Sequence, residues 1–276
     1  MNIKKKIKLL IKEFVPKKKI AISKVVYSDK LLDGKVAMIT GGSSGIGLAI
    51  AEEFIKNGCK VIICGTNEKK LIEAKNKLGD NSKYLVIDVT IVEQLSNKIK
   101  EAFNLFEENK IDILVNSAGL GAKSDFYNVS EEEFDNIINV NLKGTFFMTQ
   151  IMSKFMIEKE ISGHILNLSS SSALRPAWTP YEISKWGVRG FTLGAADVLS
   201  RKGIVVNAIA PGPTATPMLN KKVSDNLYVD SNCINRMALP SEIATLAVYL
   251  CSDVGNMVIG DTFYITGGAG NIINRL

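Results

Sequence analysis

The sequence predicts an α/β fold in which a mostly parallel sheet carries helices on both faces. Short runs of strand length alternate along the chain with helical patterns of ten or more residues. Most of these short runs are continuously apolar, which is typical of strands buried on both faces. A glycine-rich turn also joins the first run to the first helix. Strands linked by helical crossovers of this kind form a parallel sheet.

Seven strands and six helices are predicted in order along the body of the chain. The strands cover residues 36–40, 61–64, 84–89, 111–115, 165–168, 204–210 and 263–266. The helices cover residues 46–57, 68–78, a segment ending near 109, 131–141 continuing toward 157, 180–201 and 241–252. Gly58 follows the first helix, where a glycine commonly caps a helix C-terminus. We predict a single domain over residues 33–276.

The positive charge of the chain is concentrated at its N-terminus. The whole chain has a net charge of +6, and residues 1–30 contribute ten lysines against Glu13 and Asp29. The remainder is therefore slightly acidic, which disfavours a nucleic-acid-binding body. Apolar residues recur at helical spacing before Pro16, with lysines between them. We interpret residues 1–32 as a basic extension. One interpretation is that residues 1–19 contact a membrane peripherally. The alternatives are that they pack as an arm, bind a partner or form a lysine-rich leader.

The cysteines and the single histidine do not form a metal-binding pattern. The four cysteines contain no Cys-x-x-Cys pair, and His164 is the only histidine, so we expect no metal site. The sequence has no apolar run of 18 residues and no signal-peptide pattern at its N-terminus. Scattered cysteines fit reduced thiols, so we predict a cytoplasmic protein.

The glycine-rich turn reads Gly41-Gly42-Ser43-Ser44-Gly45-Ile46-Gly47 and lies between a predicted strand and a predicted helix. Glycines at 41, 45 and 47 let the backbone turn tightly and approach a pyrophosphate closely. The N-terminus of the following helix offers free N–H groups and a favourable dipole to the same anion. The turn therefore predicts a site for a nucleotide cofactor.

Tyr181 and Lys185 lie four residues apart in a predicted helix, so their side chains share one face. A lysine ammonium beside a phenol favours the phenolate, which predicts a lowered Tyr181 pKa and a general acid/base. This spacing is common by chance on helices. The pair gains weight from the glycine turn that precedes it in the chain.

Further motifs follow the glycine turn along the chain. They are Asp88-Val89, Asn116-Ser117-Ala118-Gly119, Asn139-Val140-Asn141-Leu142, Ser170 after an apolar strand, Tyr181 with Lys185, and Pro211-Gly212 followed by Thr214 and Thr216. Over residues 33–270 the chain thereby resembles the classical short-chain dehydrogenase/reductase family, and within it the 3-oxoacyl-acyl-carrier-protein reductase-like members. The resemblance implies a Rossmann-type, doubly wound sheet of seven strands and a homo-oligomer, either a tetramer or a dimer.

Four catalytic residues are implied by the resemblance: Asn141, Ser170, Tyr181 and Lys185. Tyr181 would donate a proton to a carbonyl oxygen that Ser170 also hydrogen-bonds, and a nicotinamide would supply the hydride. Lys185 would hold the nicotinamide ribose, and Asn141 would fix a water that leads to solvent. Several serines are adjacent here, and Ser169 is the alternative to Ser170.

The loop that joins Ser170 to Tyr181 spans eleven residues, slightly fewer than is usual in the family. It contains Arg175, Pro176 and Trp178, and we expect it to shape the substrate pocket. Trp178 fits ordinary packing equally well.

Cofactor-binding residues also follow from the resemblance, and they surround the glycine turn and the ends of several strands. They are Gly41, Ser43, Ser44, Gly45, Ile46, Gly47, Thr66, Asp88, Val89, Asn116, Ala118, Gly119, Tyr181, Lys185, Pro211, Gly212, Thr214 and Thr216. Thr66 stands where a carboxylate would select NAD, and Lys69 and Lys70 are near enough to favour a 2′-phosphate. We therefore favour NADP over NAD, although Glu68 argues against this choice.

Three functions remain open at this point. The favoured one is an NADPH-dependent reduction of a ketone of 3-oxoacyl type, and a sugar, polyol or steroid-like ketone is also compatible. The alternative enzyme is an NAD-dependent sugar or alcohol dehydrogenase. The third function is a nucleotide-binding scaffold without turnover, which the complete catalytic set disfavours because a scaffold needs no proton donor.

Overall fold

The structure, a computed structural model, describes residues 30–270. Within that range seven strands form one sheet in the order β3-β2-β1-β4-β5-β6-β7, and every neighbouring pair is parallel. The strands are β1 (Val36–Thr40), β2 (Lys60–Gly65), β3 (Ser82–Val86), β4 (Ile113–Asn116), β5 (His164–Leu168), β6 (Val205–Pro211) and β7 (Thr262–Ile265). This architecture confirms the predicted doubly wound sheet.

The helices occupy the crossovers between the strands. They are α1 (Gly45–Lys56), α2 (Glu68–Leu78), α3 (Val92–Phe103), α4 (Glu131–Ile138), α5 (Thr145–Glu158), α6 (Pro180–Leu199) and α7 (Pro240–Leu250). A π-helix, Asn139–Gly144, joins α4 to α5, so the helix predicted from 131 toward 157 changes its winding in the middle. Short 3₁₀ turns cover Ser171–Leu174, Ser200–Lys202, Pro217–Leu219 and Asp253–Gly255.

Two predicted boundaries were wrong, each for a local reason. The third strand was expected to run to residue 89 but ends at Val86. The Asp88 carboxylate accepts hydrogen bonds from the Thr90 N–H and hydroxyl, and this turns the chain toward α3. The helix expected to reach residue 109 ends at Phe103, and Asn109 has a positive φ of 48°, which an α-helix does not contain.

The core lies on both faces of the sheet. Helices α1, α2 and α7 cover one face, and α3, α5 and α6 cover the other. Successive strand residues alternate between these faces: Ile39 packs on the first and Met38 on the second. Leu32 is also fully buried in the first cluster, so the packed domain includes this residue of the predicted extension.

The chain reverses its winding direction between β1 and β4. These two strands are neighbours in the sheet, while β2 and β3 lie on the far side of β1. The loops after β1 and β4 therefore diverge and leave a crevice at the carboxyl ends of the strands, where ligands of doubly wound sheets bind.

The predicted amphipathic segment of residues 1–19 lies outside the described residues. From residue 30 to residue 270, no helix has both the length and the hydropathy needed to cross a bilayer.

Candidate active site

A cleft with an empty volume of about 920 Å³, open mouth included, lies at this crevice. Its position at the carboxyl ends of the strands is where a small-molecule ligand of such a sheet binds. Predicted cofactor and catalytic residues line much of it: Gly41, Ser44, Gly45, Ile46, Gly47, Gly119, Ser170, Tyr181, Lys185, Pro211, Gly212, Thr214 and Thr216. Ser117, Leu168, Ser169, Pro217, Met218 and Leu219 complete the lining.

The glycine turn needs its glycines for close packing. A Cβ on Gly41 would lie 2.8 Å from the Ser117 carbonyl oxygen, and a Cβ on Gly47 would lie 2.4 Å from the Gly41 carbonyl oxygen. Gly45 has a φ of +55°, in the left-handed region that glycine adopts most readily. The turn therefore brings bare backbone to the floor of the cleft, as contact with a pyrophosphate requires.

The N-terminus of α1 is available to an anion. Ser44 occupies its N-cap position without a side-chain hydrogen bond to the helix, and the first turn contains no acidic residue. By contrast, Asn67 caps α2 and Ser130 caps α4 with side-chain hydrogen bonds. The uncapped N–H groups and the helix dipole of α1 thus point into a glycine-lined cleft, which fits the pyrophosphate of a dinucleotide.

Tyr181 and Lys185 are positioned by the sharply defined start of α6. Thr179 and Glu182 form a capping box, and Pro180 occupies the first turn. Lys185 is buried, and its Nζ donates a hydrogen bond to the Leu168 carbonyl oxygen at 2.8 Å. Burial lowers the pKa of Lys185 to about 8.

The predicted lowering of the Tyr181 pKa was wrong. Burial raises the pKa of Tyr181, hydrogen bonding with the Ser170 side chain lowers it in part, and the Glu182 charge raises it further. The Lys185 ammonium lies over the ring face, 5.6 Å from the ring centroid, and donates to Leu168. Tyr181 therefore holds its proton at neutral pH, the form that a proton donor in carbonyl reduction needs.

The structure separates the two candidate serines. The Ser169 hydroxyl donates to the Lys185 carbonyl oxygen at 2.9 Å, so it ties β5 to α6. The Ser170 oxygen instead accepts the Ser172 N–H at 3.1 Å, and its side chain lies near enough to Tyr181 to lower the pKa of that phenol. Of the two serines, Ser170 is therefore the one whose side chain acts on Tyr181, and its catalytic role stays a prediction.

Asn141 lies in the π-helix, a winding that is frequent at functional sites. Its Oδ1 accepts the Leu120 N–H at 2.7 Å, and its Nδ2 donates to the Leu120 carbonyl at 2.9 Å and to the Ser184 hydroxyl at 3.1 Å. The amide therefore braces the segment after β4 against α6. The water relay through Asn141 stays a prediction.

Two polar side chains hold the neighbouring strand ends together. The Thr40 hydroxyl accepts the N–H groups of Ser117 and Ala118, each at 3.1 Å. The Asn116 Nδ2 donates to Thr149 and to Asn167, each at 2.9 Å, and its side chain does not line the cleft. We had expected Asn116 and Ala118 among the cofactor-binding residues; their contacts here align β4 with β1 and β5.

Four other predicted cofactor residues do not line the cleft: Ser43, Thr66, Asp88 and Val89. Thr66 is exposed at the end of β2, and Asp88 binds Thr90 after β3. Val89 is buried against Gly144, where a Cβ would lie 2.7 Å from the valine side chain. Thr66 and Asp88 lie at the carboxyl ends of neighbouring strands, the side of the sheet where the adenosine half of a dinucleotide would extend.

The segment after β6 covers the cleft. A Cβ on Gly45 would contact Thr216 at 3.4 Å, and a Cβ on Gly121 would contact Met218 at 3.7 Å. The segment therefore reaches the glycine turn and the region after β4. Thr214 and Thr216 of this segment were predicted to bind the cofactor, and Pro217, Met218 and Leu219 line the cleft beside them.

Several residues considered in the sequence analysis lie outside the cleft. Trp178 is 55% exposed, and neither it nor Arg175 nor Pro176 lines the cleft. His164 is buried and its Nε2 lies 2.9 Å from the Asn256 Oδ1. Cys233 is exposed, unlike the other three cysteines. No group of three or more potential metal ligands occurs among residues 30–270.

The arrangement can perform a proton-coupled hydride transfer. A bound nicotinamide supplies or accepts the hydride. The Ser170 oxygen accepts the Ser172 N–H, so the Ser170 hydroxyl proton can point to the Tyr181 oxygen or turn to a substrate oxygen beside it. The Tyr181 phenol provides the transferable proton beside it, and two donors thus converge on one oxygen.

Comparisons with known proteins agree with this chemistry. The family model for short chain dehydrogenase matches residues 35–227. The 3-oxoacyl-[acyl-carrier-protein] reductase FabG of Rickettsia prowazekii (strain Madrid E) is 36% identical over 242 residues, which cover 86% of this chain and 97% of that protein.

Solved structures share the fold and include both forms of the cofactor. The 3-ketoacyl-(acyl-carrier-protein) reductase from Brucella melitensis, complexed with NADH, is 32% identical with a TM-score of 0.79, covering 87% of this chain and all of that one. A variant actinorhodin polyketide ketoreductase with NADPH is 30% identical with a TM-score of 0.78, covering 86% of this chain and 98% of that one. This chain therefore belongs to the short-chain dehydrogenase/reductase family, whose members are oxidoreductases acting on CH–OH and C=O groups.

Proposed function

We propose that this enzyme uses NADPH to reduce a ketone of 3-oxoacyl type to a secondary alcohol. One observation carries the proposal: Tyr181 and Ser170 line one cleft, whose floor is the glycine turn, and the Lys185 ammonium lies over the Tyr181 ring. The named activities of the carrier-protein reductases and of the polyketide ketoreductase support a keto group within an acyl chain as the substrate.

A single-turnover assay over a carbonyl panel tests the substrate. The panel contains 3-oxoacyl thioesters, sugar and polyol ketones and steroid ketones, each with NADPH and NADH. We expect the fastest hydride transfer with a 3-oxoacyl thioester. Preferential oxidation of a sugar or simple alcohol with NAD would instead support the alternative dehydrogenase, and no transfer to any substrate would support the scaffold.

Tyr181→Phe tests the proton donor. The variant keeps the ring and loses the hydroxyl, so turnover should fall by at least about 100-fold while cofactor binding stays nearly unchanged. Tyr127→Phe is the matched control, because Tyr127 is 91% exposed and its loss of a hydroxyl should have no effect. Near-normal turnover by Tyr181→Phe would defeat the mechanism.

The preference for NADP rests on charge near the end of β2. Thr66 brings no carboxylate there, and Lys69 and Lys70 are exposed and make no ion pair with any residue between 30 and 270. The Glu68 carboxylate accepts a hydrogen bond from the Tyr84 hydroxyl at 3.3 Å. Both lysines therefore remain available to a 2′-phosphate.

Cofactor titration by fluorescence tests this preference. The enzyme should bind NADPH more tightly than NADH, and a variant with Lys69→Ala and Lys70→Ala should lose affinity for NADPH alone. Lys83→Ala is the control, since Lys83 is exposed on the neighbouring strand β3. Tighter binding of NADH by the unaltered protein would reverse the cofactor assignment.

We also propose that the enzyme is a homotetramer. Large apolar side chains remain exposed on α6, among them Trp186, Leu193 at 64% and Val198 at 70%, and Phe146 of α5 stacks beside them on Phe191. Burial of this face between copies would stabilise an assembly. Light scattering should give four chains, and Leu193→Asp should lower that number; a monomeric unaltered protein would refute the proposal.

For the basic extension we propose a cytoplasmic enzyme that contacts anionic lipid through residues 1–19. The proposal rests on the amphipathic lysine-rich pattern alone. The full chain should co-sediment with phosphatidylserine vesicles at low salt, and a chain starting at residue 30 should not. Equal sedimentation of both chains would refute it.

A further inference from the structure

The loop between Ser170 and α6 is attached to that helix by two side chains outside the cleft. The Trp186 Nε1–H donates to the Arg175 carbonyl oxygen at 2.8 Å, and the Arg189 Nη1–H donates to the Ala173 carbonyl oxygen at 2.9 Å. Both donors lie on α6, and both acceptors belong to the loop whose short length was noted in the sequence. The helix that contains Tyr181 thus binds the loop that begins at Ser170.

Aromatic rings hold the Arg189 guanidinium in place. Its Cζ lies 5.2 Å from the Trp186 ring centroid and 5.9 Å from the Tyr264 ring centroid. Across residues 30–270 the guanidinium forms no salt bridge with a carboxylate, so its directed contacts are the Ala173 carbonyl and these rings. A planar cation between rings presents its N–H groups in a defined direction.

The attachment extends to Ser170 through a short chain of hydrogen bonds. The Ala173 N–H donates to the Ser170 carbonyl at 3.0 Å, and the Ser172 N–H donates to the Ser170 hydroxyl oxygen at 3.1 Å. The 3₁₀ turn Ser171–Leu174 therefore connects the Arg189 contact rigidly to Ser170. A shift of this turn would change the distance between the Ser170 and Tyr181 hydroxyls.

We propose that Arg189 and Trp186 are positioning residues, which hold the Ser170 hydroxyl beside Tyr181 by clamping the loop that follows Ser170 to α6. The proposal rests on the proposed roles of Ser170 and Tyr181. The clamp touches neither substrate nor cofactor and acts only through Ser170. It also gives a reason for the short loop, since a longer one would lie less tightly against the helix.

Arg189→Met and Trp186→Phe test the clamp in the full-length enzyme. Each removes the donor and keeps much of the side-chain volume. We expect kcat to fall roughly tenfold, less than for loss of a direct oxyanion donor, with cofactor affinity unchanged. Hydrogen bonding with Ser170 lowers the pKa of Tyr181, so the alkaline limb of the kcat/KM profile should move to higher pH. Arg189→Lys should restore part of kcat because it keeps a donor.

A double-mutant cycle with Ser170→Ala separates positioning from general stability. If the clamp acts through Ser170, adding Arg189→Met to Ser170→Ala should change kcat little further. If the kcat losses of Arg189→Met and Ser170→Ala add, or if the alkaline limb of the kcat/KM profile does not move, the clamp is wrong. The proposed function would still stand. Normal turnover by Ser170→Ala would overturn both the clamp and the proposed function. Trp186→Phe, run through the same cycle, decides the question if Arg189→Met does not fold.

Discussion

The Asn141 side chain binds the backbone of Leu120 at both its N–H and its carbonyl group, at 2.7 and 2.9 Å. Asn141 lies in the π-helix, and Leu120 lies in the segment that follows β4 and its Gly119. A Cβ on Gly119 would lie 3.4 Å from Asn141 Oδ1 and 3.8 Å from Lys185 Nζ. One amide thus fixes the wall of the cleft next to the buried lysine.

Asn141→Ala should therefore damage both folding and catalysis. It would remove the hydrogen bonds to the Leu120 N–H and carbonyl and to the Ser184 hydroxyl, each of which contributes roughly 0.5–1.5 kcal/mol to stability. We expect a lower free energy of unfolding in urea and a turnover reduced at least about tenfold. Asn139→Ala, at the first residue of the same π-helix, should change both little; equal losses in the two variants would contradict the role of the Leu120 contact.

Gly47→Ala should abolish cofactor binding. The added Cβ would lie 2.4 Å from the Gly41 carbonyl oxygen, so the glycine turn must move away from α1. Gly79→Ala is the control for destabilisation, because Gly79 has φ 82° and ψ −161° and lies at the end of α2, outside the lining of the cleft. It should cost roughly 1–3 kcal/mol of stability and leave cofactor titration unchanged. Retained binding by Gly47→Ala would contradict the packing argument.

Cofactor affinity should fall above pH 8. Burial lowers the pKa of Lys185 to about 8, so the unliganded enzyme loses this positive charge as the pH rises through that value. An anionic dinucleotide binds the charged form better, and Kd should rise about tenfold from pH 7 to pH 9. Lys185→Met should bind more weakly at every pH and without this slope. The same slope in the variant would assign it to another group.

His164 should make the protein less stable in acid. Burial lowers its pKa from 6.5 to about 4, so the unfolded chain binds the proton more readily between these values. The neutral His164 therefore makes its full contribution to the free energy of unfolding above pH 6.5. This contribution, up to about 3 kcal/mol, is lost as the pH falls toward 4. Urea unfolding of His164→Gln should show a pH dependence smaller by that amount. An unchanged pH dependence would contradict the assignment.

Much of the fold was predictable because local patterns and tertiary packing agree. The strands Val36–Thr40 and His164–Leu168 are buried on both faces. Their continuous apolar sequence and their position in the folded core therefore both indicate a central strand. The π-helix was not predictable, since its apolar spacing resembles that of an α-helix. Within it, Asn141 hydrogen-bonds with Leu120 and Ser184, which are distant in the chain, so these contacts could not be found from local spacing.

The candidate site was likewise predictable only in part. Sequence spacing identified Tyr181, Lys185 and the glycine turn, because a helix face and a tight turn are local properties. It misjudged the pKa of Tyr181, which depends on burial and on the nearby Ser170 and Glu182 side chains. It also gave no sign that Trp186 and Arg189 bind the loop after Ser170.

The sequence by itself determined the parallel α/β fold, the glycine turn and the identity of the residues that can exchange a proton. Those properties depend on apolar period, on backbone freedom and on side-chain chemistry, and all three can be read along the chain. Only the tertiary structure decided which serine lies beside Tyr181, which state the phenol holds and which side chains fix the short loop. These depend on distances between residues far apart in the chain and on burial, which lowers the local dielectric and so sets each pKa.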